Sequence, residues 1–317
     1  MTTVSVIIPT YSRTASLCRA IDSVLAQTYR DWELIVVDDG CPTDSISKVV
    51  SGYVARDPRI RYVQQPNGGS YRARNAGIAQ ATGTYIAFLD DDDEWTSEKL
   101  KTQVSLMESH PEVGLCYTFF QVYRECDGKL EATRQFPCFP ATKFEELMET
   151  FLAPNSVMMR KACLDQIAWF DPQFPISADF DLWLRFVQRW QIRAIDQVGT
   201  VTVMDSREHE GGNELAARRD GIRVLRNLKL RPECKHYKRL VMGQIARRYY
   251  LIGRIYLDQQ NFGQAAKHFA LAVLTDPLVG LTVRGPEEKG PKLFLRIFKS
   301  YAAIPACALK GLMYAKR

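Results

Sequence analysis

Thr84-Tyr-Ile-Ala-Phe-Leu-Asp-Asp-Asp-Asp-Glu-Trp95 joins a β-branched and aromatic run of strand length to five consecutive carboxylates. So many acids at a strand end repel one another unless a hard cation neutralises them. Upstream, Val4-Ser-Val-Ile-Ile8, Glu33-Leu-Ile-Val-Val37 and Ile60-Arg-Tyr-Val63 are further strand-like runs, separated by segments of helix length. That alternation predicts βαβ units and a mostly parallel sheet, an α/β fold. Between the first two strands, Leu17, Ala20, Ile21, Val24 and Leu25 recur at helical spacing, with Ser12 or Thr14 as the expected N-cap. Open α/β sheets bind ligands beyond the carboxyl ends of their strands. The decisive residues are therefore Pro9-Thr-Tyr-Ser-Arg13, Asp38-Asp-Gly40 and Asp90-Asp-Asp-Asp93, expected to converge on one crevice.

The acids are oxygen donors, which suits Mg²⁺ or Mn²⁺ better than zinc, and the spacing is not that of an EF-hand. An anionic partner is expected from Asn67-Gly-Gly-Ser-Tyr-Arg-Ala-Arg-Asn-Ala-Gly77, a glycine-rich loop leading into a helix that bears Arg72 and Arg74. It is neither a Walker loop nor a dinucleotide fingerprint. Further on, Val113 to Tyr123 and Ser156 to Met159 read as strands. Asp179 to Trp190 reads as a helix with Leu182, Trp183, Phe186, Val187 and Trp190 on one apolar face. Asp179 and Asp181 fall at its N-terminal end, where the macrodipole favours an ionised carboxylate, either a cap or a base.

The whole chain has 317 residues, 46% hydrophobic and 25% charged, which excludes disorder, collagen and a disulfide scaffold and suits roughly two domains. Eight cysteines without a CxxC pair point to reduced thiols in the cytosol. No signal-like leader opens the sequence, and the apolar stretch Tyr301–Ala315 is short and broken by Pro305 and Lys310, so no transmembrane helix is expected. Charge is split: residues 1–217 hold 21 Lys+Arg against 30 Asp+Glu, whereas 218–317 hold 21 against 6. We expect a catalytic domain over 1–217 and a basic α-helical region over 218–317 that seeks an anionic surface. In that region Tyr249, Ile252, Gly253, Tyr256, Ala265, Phe269, Ala272 and Pro277 match the spacing of one tetratricopeptide-like unit, about residues 246–279. The tail from Lys289 carries seven basic and no acidic residues among apolar ones, fitting either an anionic membrane surface or an ordinary packed helix.

The ordered motifs Val-Ser-Val-Ile-Ile-Pro-Thr-Tyr, Val-Val-Asp-Asp-Gly, Gly-Gly-…-Ala-Arg-Asn-…-Gly, Phe-Leu-Asp-Asp-Asp-Asp-…-Trp and Asp-Phe-Asp-Leu-Trp-Leu-Arg resemble a family 2 glycosyltransferase of the GT-A fold over about residues 1–215. The resemblance implies an inverting, metal-dependent transfer of one sugar from a nucleoside-diphosphate sugar, UDP by family frequency. The acceptor implied is a hydroxyl of a glycan or lipid-linked intermediate in cell-surface polysaccharide synthesis. Pro9, Thr10, Tyr11 and Arg13 would line the nucleotide site, with Asp39 reading the base and Asp38 structural or on the ribose. Gly69, Arg72, Arg74, Asn75, Asp90 and Asp91 complete the nucleotide-sugar set. Asp92 is the principal metal ligand implied, assisted by His209 of Ser206-Arg-Glu-His209; Asp93 and Glu94 are left as solvated extras. Asp179 corresponds to the catalytic base, although Ala178 stands where the family has glutamate. Asp181 and Trp183 are assigned to the acceptor, with Asp181 orienting Arg185 as the other reading. Gln188-Arg-Trp190 is not the element of processive synthases. Nucleic acid is not an expected partner, while a homodimer and a peripheral place at the inner membrane face are. The competing classes are a non-catalytic sugar-nucleotide-binding scaffold and a nucleotidyltransferase.

Overall fold

Four of the apolar runs form one parallel block of the sheet: β1 (Val4–Thr10), β2 (Trp32–Asp38), β3 (Ile60–Gln64) and β4 (Tyr85–Phe88). Their connections are α1 (Thr14–Leu25), α2 (Ser45–Val54) and α3 (Ser70–Gln80). Every residue of β1 and β2 is buried, which is why both read as continuous Val/Ile-rich runs without alternation. Then come β5 (Asp93–Trp95), α4 (Lys99–Ser109), β6 (Val113–Cys126), β7 (Lys129–Phe136), α5 (Phe144–Leu147), a 3₁₀ turn at Pro154–Ser156, β8 (Val157–Arg160), α6 (Lys161–Leu164), α7 (Ala178–Phe186) and β9 (Gln191–Met204). The computed structural model describes residues 4–126, 129–137, 140–204 and 214–277. The strand order is β3-β2-β1-β4-β8-β6-β9-β5, with β7 paired to β6. This is a mostly parallel α/β sheet in which β8 runs antiparallel to β4 and β6, and β5 antiparallel to β9.

Parallel register carries the three motif ends to one edge. Thr10 pairs with Asp38 and Ile7 with Phe88, so the chain leaves β1, β2 and β4 side by side. Two glycines permit the close approach. Gly40, at φ +77°, lets the chain turn straight after Asp39, where a Cβ would lie 2.7 Å from Asn67 N. At Gly77 a Cβ would lie 2.4 Å from Ile7 Cγ2, so only glycine lets α3 lie this close to β1.

Two helix ends differ from expectation. Arg13, not Ser12 or Thr14, occupies the N-cap of α1 and makes no side-chain capping bond; its guanidinium is drawn to the acidic loop instead. Helix α7 stops at Phe186, four residues before Trp190, leaving Val187 and Trp190 half-buried in the turn that enters β9.

Chain contacts define two compact units, Met1–Glu210 and Gly211–Arg317. In the second, α8 (Glu214–Leu230), a 3₁₀ segment (Pro232–Tyr237), α9 (Lys238–Asp258) and α10 (Phe262–Thr275) follow one another. Helices α9 and α10 form a hairpin through Gln259–Asn261, and Asn261 caps α10 by accepting from Gln264 N at 3.2 Å. Gly253 sits under the Phe269 ring, where a Cβ would be 2.7 Å from it. Among the described residues no helix is long and apolar enough to cross a membrane. The tail from Lys289 and the last two positions of the repeat-like unit lie outside the described residues.

Candidate active site

At the shared sheet edge lies a cavity of about 390 Å³, within the usual range of ligand pockets. Its walls are the end of β1 (Pro9 to Arg13), Asp39 after β2, Ser70 and Arg74 of α3, and Asp90, Asp91 and Asp92 after β4. Tyr11 is 45% exposed, so one aromatic face is free to meet a planar group. Asp39 is buried beside it and already ties down the glycine-rich loop: Oδ1 accepts from Gln65 Nε2 (2.6 Å) and Gly68 N (2.9 Å), and Oδ2 from Gly69 N (2.7 Å). One acceptor lobe of Oδ2 remains for a ligand N–H.

The acidic loop is held by hydroxyls and guanidinium groups. Thr10 Oγ1 donates to Asp91 Oδ2 (2.7 Å), Arg13 pairs with Asp92 and approaches Asp91 (3.5 Å), and the buried Arg74 pairs with Asp90. Burial raises the Asp91 carboxyl to about 6, opposed by the Thr10 bond and assisted by Asp92. Arg74 Nη1 also donates to Ser70 Oγ (3.3 Å), but its buried Nε–H has no partner. An orphaned buried donor costs about 1–3 kcal/mol.

Behind Arg74 stands Asp179, in the first turn of α7 and 5% exposed. Burial pushes its carboxyl up to about 6, against the Phe180 amide donating to Oδ1 (2.7 Å), the Tyr71 phenol and the Arg74 charge. Tyr71 donates to Ile176 O (3.1 Å), stacks on Phe170 (5.2 Å between centroids) and lies 5.1 Å from the Arg74 guanidinium. The acidic loop, α3 and α7 are thus linked through two adjoining side chains of α3.

Comparison with known proteins gives this arrangement a family. Residues 5–167 match the family described as Glycosyl transferase family 2. The chain belongs to glycosyl transferase family 2. An uncharacterised glycosyltransferase of Rickettsia felis is 34% identical over 219 residues, which is 67% of this chain and 36% of that one. The chain therefore spans about a third of the length of that relative. An Escherichia coli K12 protein, WcaA, named as a glycosyl transferase of colanic acid biosynthesis, is 30% identical over 210 residues, 62% of this chain and 71% of that one. Among solved structures, S. aureus TarS 1-349 in complex with UDP superposes with a TM-score of 0.67 at 17% identity, covering 99% of this chain and 91% of that one. The same protein in complex with UDP-GlcNAc gives 0.66. These likenesses show the GT-A-like fold.

Within this family 2 domain the structure sorts the expected residues. Pro9, Thr10, Tyr11, Arg13, Asp39, Arg74, Asp90, Asp91 and Asp92 come together in the cavity, and Asp179 lies just behind it. Others do not. Arg72 is exposed on the far side of the helical repeat from Arg74 and is absent from the cavity wall. The Gly69 amide is spent on Asp39, so it is not a vacant phosphate donor. Asn75 clasps the chain instead: Nδ2 donates to Phe170 O (2.8 Å) and Oδ1 accepts from Phe170 N (3.1 Å). Asp38 is structural, accepting from Cys41 N (2.8 Å) and Tyr62 Oη (2.6 Å).

Asp181 is fully buried and pairs with Arg185 Nε (2.8 Å), whose other nitrogens donate to the Ala168 and Trp169 carbonyls. Trp183 is 2% exposed and donates to Leu152 O (2.9 Å). Both side chains are spent on holding α7 to neighbouring segments. Asp93 is not solvated but buried, accepting from Asn155 Nδ2 and Thr202 Oγ1, while Glu94 meets Arg19 (3.0 Å). His209 and Gly211–Gly212 lie outside the described residues. Among the described residues no three His, Cys, Asp or Glu form a ready-made metal cage. Ser12 is at the cavity as part of the Pro9–Arg13 run, whereas Ser70 and Tyr71 were given no site role from the sequence. Tyr71 could have been given one, since it stands three residues before Arg74 on a helix that opens from Gly-Gly.

Proposed function

We propose that the chain is an inverting glycosyltransferase that moves one sugar from a UDP-sugar to a hydroxyl of a glycan or lipid-linked acceptor in cell-surface polysaccharide synthesis. The observation that carries this reading is that the buried, ionisable Asp179 lies against the same Arg74 that grips Asp90 at the cavity. Tyr11 stacks on the base and the remaining lobe of Asp39 accepts its N–H. The exposed Arg13 guanidinium meets the diphosphate, with Arg74 adding its charge from the cavity wall.

A carboxyl raised to about 6 is ionised at neutral pH yet basic enough to accept a proton. Asp179 takes the proton of the acceptor hydroxyl as that oxygen attacks the anomeric carbon opposite the diphosphate. The new C–O bond forms as the bond to the phosphate oxygen breaks, so the configuration inverts. General-base action of this kind contributes about 10²–10⁴-fold.

The donor set fits Mg²⁺ or Mn²⁺, which is commonly held by one or two carboxylates plus substrate phosphates. Asp92, exposed at the cavity mouth and already paired with a cationic guanidinium, would hold it, and Asp91 is the nearest second oxygen donor. When bound, the ion would neutralise charge on the leaving diphosphate. We further assign catalysis to residues 1–217 and partner contacts to 218–317. The α9–α10 hairpin is the tetratricopeptide-like unit in that assignment, and the basic tail meets an anionic membrane surface at the inner face or a second copy of the chain.

The test is the melting temperature of the full chain with UDP, other nucleoside diphosphates and their sugars, in Mn²⁺, Mg²⁺ or EDTA. Ligand at 100 times its Kd adds about 2.7 kcal/mol, or several degrees. A metal-dependent shift with UDP is expected, lost in Asp92→Asn and kept in Asp179→Asn. No shift with any nucleotide, or its loss in Asp179→Asn, overturns the reading.

A further inference from the structure

Residues 214–277 hold thirteen Lys+Arg against five Asp+Glu, and α8 carries five of the first and two of the second. Its arginines are not equivalent. Arg218 pairs with Glu214, and Arg223 with the buried Asp220 (3.0 Å). Arg219 and Arg226 instead donate to phenols of α9: Arg219 Nη2 to Tyr256 Oη and Arg226 Nη2 to Tyr249 Oη, each at 2.6 Å. A neutral hydroxyl orients a guanidinium without cancelling its charge. Among the described residues no carboxylate lies within ion-pair distance of either one.

Both arginines are exposed and stand seven residues apart, two helical turns on one face, about 10 Å along the axis. The tyrosines beneath them are held in turn. The His268 ring lies 6.3 Å from Tyr249 and 5.2 Å from Tyr256 between centroids, and its Nδ1 is 2.8 Å from Gln264 O. The result is two fixed, uncompensated cations on an aromatic shelf.

We infer that Arg219 and Arg226 form a binding site for an anionic glycan, one that bears carboxylate or phosphodiester groups along its length. The site rests on the proposed activity, for which such a polymer is an acceptor or a growing product. Planar guanidinium groups recognise both kinds of anion by paired hydrogen bonds. A bilayer is the poorer occupant. The apolar side chains Ile222, Val224, Leu225 and Leu228 of α8 are buried, and the one strongly exposed apolar side chain on the arginine face, Leu230 four residues past Arg226, is too little apolar surface to seat the helix in a bilayer.

The experiment is affinity electrophoresis of the full chain through gels containing polygalacturonate or neutral dextran, beside flotation with phosphatidylglycerol vesicles. It compares wild type, Arg219→Gln/Arg226→Gln, and Lys101→Gln as a charge control on the other unit. Polygalacturonate should retard the wild type and the control equally and bind the double variant about tenfold more weakly, with dextran inert. The UDP-induced melting shift should be the same in all three. Equal retardation of wild type and double variant overturns the site. So does equal retardation by dextran, or vesicle flotation that depends on the two arginines while polygalacturonate binding does not. Loss of the UDP shift in every protein counts against the activity alone; loss of arginine-dependent retardation counts against this site alone.

Discussion

Asp179→Asn should stabilise the folded protein at neutral pH while removing sugar transfer. The Asp179 carboxyl is 5% exposed and is raised from 3.8 to about 6 by burial. That displacement corresponds to about 3 kcal/mol. The sign follows from proton binding: between about pH 4 and 6 the folded state holds a proton that the unfolded chain has released. Stability from this group is therefore greatest below about pH 4 and falls as pH rises through 6. An asparagine has no such slope. Its Oδ1 still accepts from Phe180 N, so most of the local geometry survives. The variant should exceed wild type by about 1–3 kcal/mol at pH 7.5 and match it near pH 4, with the gap opening between. Asp91, also raised to about 6, is common to both proteins and cancels. Chemical denaturation at closely spaced pH values reads the gap directly. A gap that does not change with pH, or a variant less stable at pH 7.5, would refute the claim that burial sets this proton affinity. In the wild type, transfer should rise with pH through about 6, as the base loses its proton.

Asn75→Ala removes both bonds between α3 and the Phe170 backbone and should cost about 2 kcal/mol in denaturation, leaving the Kd for UDP unchanged. A weakened UDP affinity with normal stability would return Asn75 to the nucleotide site. Asp181→Asn breaks a buried ion pair and should cost about 3–5 kcal/mol, read as a lower denaturation midpoint. A loss below about 1 kcal/mol, together with altered acceptor use, would show that the buried pairing is not its role.

The strands and the order of the motifs were legible because both depend on local pattern. A buried parallel strand must be continuously apolar, and its carboxyl end must carry the polar residues that the crevice needs. β9 was not legible: Gln191-Ile-Arg-Ala-Ile-Asp-Gln-Val-Gly-Thr-Val-Thr-Val-Met204 mixes polar and apolar residues, and long-range pairing with β6 and β5 makes it a strand. The same divide runs through the site. Thr10, Asp39, Asp90 and Asp92 are placed by where strands end. Asn75, Asp181 and Trp183 sit in equally suggestive motifs, but their partners are carbonyls and an arginine of segments far along the chain or on the next turn, as at Phe170, Leu152 and Arg185. Motif position does not show whether a polar side chain faces the ligand or the fold. Asp93 makes the point within a single run of acids, since its neighbour Asp92 is exposed while it is buried against Asn155 and Thr202.

The hold of Asp39 on the Gly68 and Gly69 amides restricts how this enzyme's donor preference can drift. On the proposed reading, one carboxylate both selects the nucleobase and anchors the start of the helix that carries Tyr71 and Arg74. An asparagine there would present a donor to an amide that already donates, loosening the loop at the moment the base is changed. A shift to another nucleobase therefore has to pass through an unstable intermediate, unless a second substitution in Asn67–Ser70 arrives first. Lineages with this chain's wiring should diversify their sugars and acceptors sooner than their nucleotide.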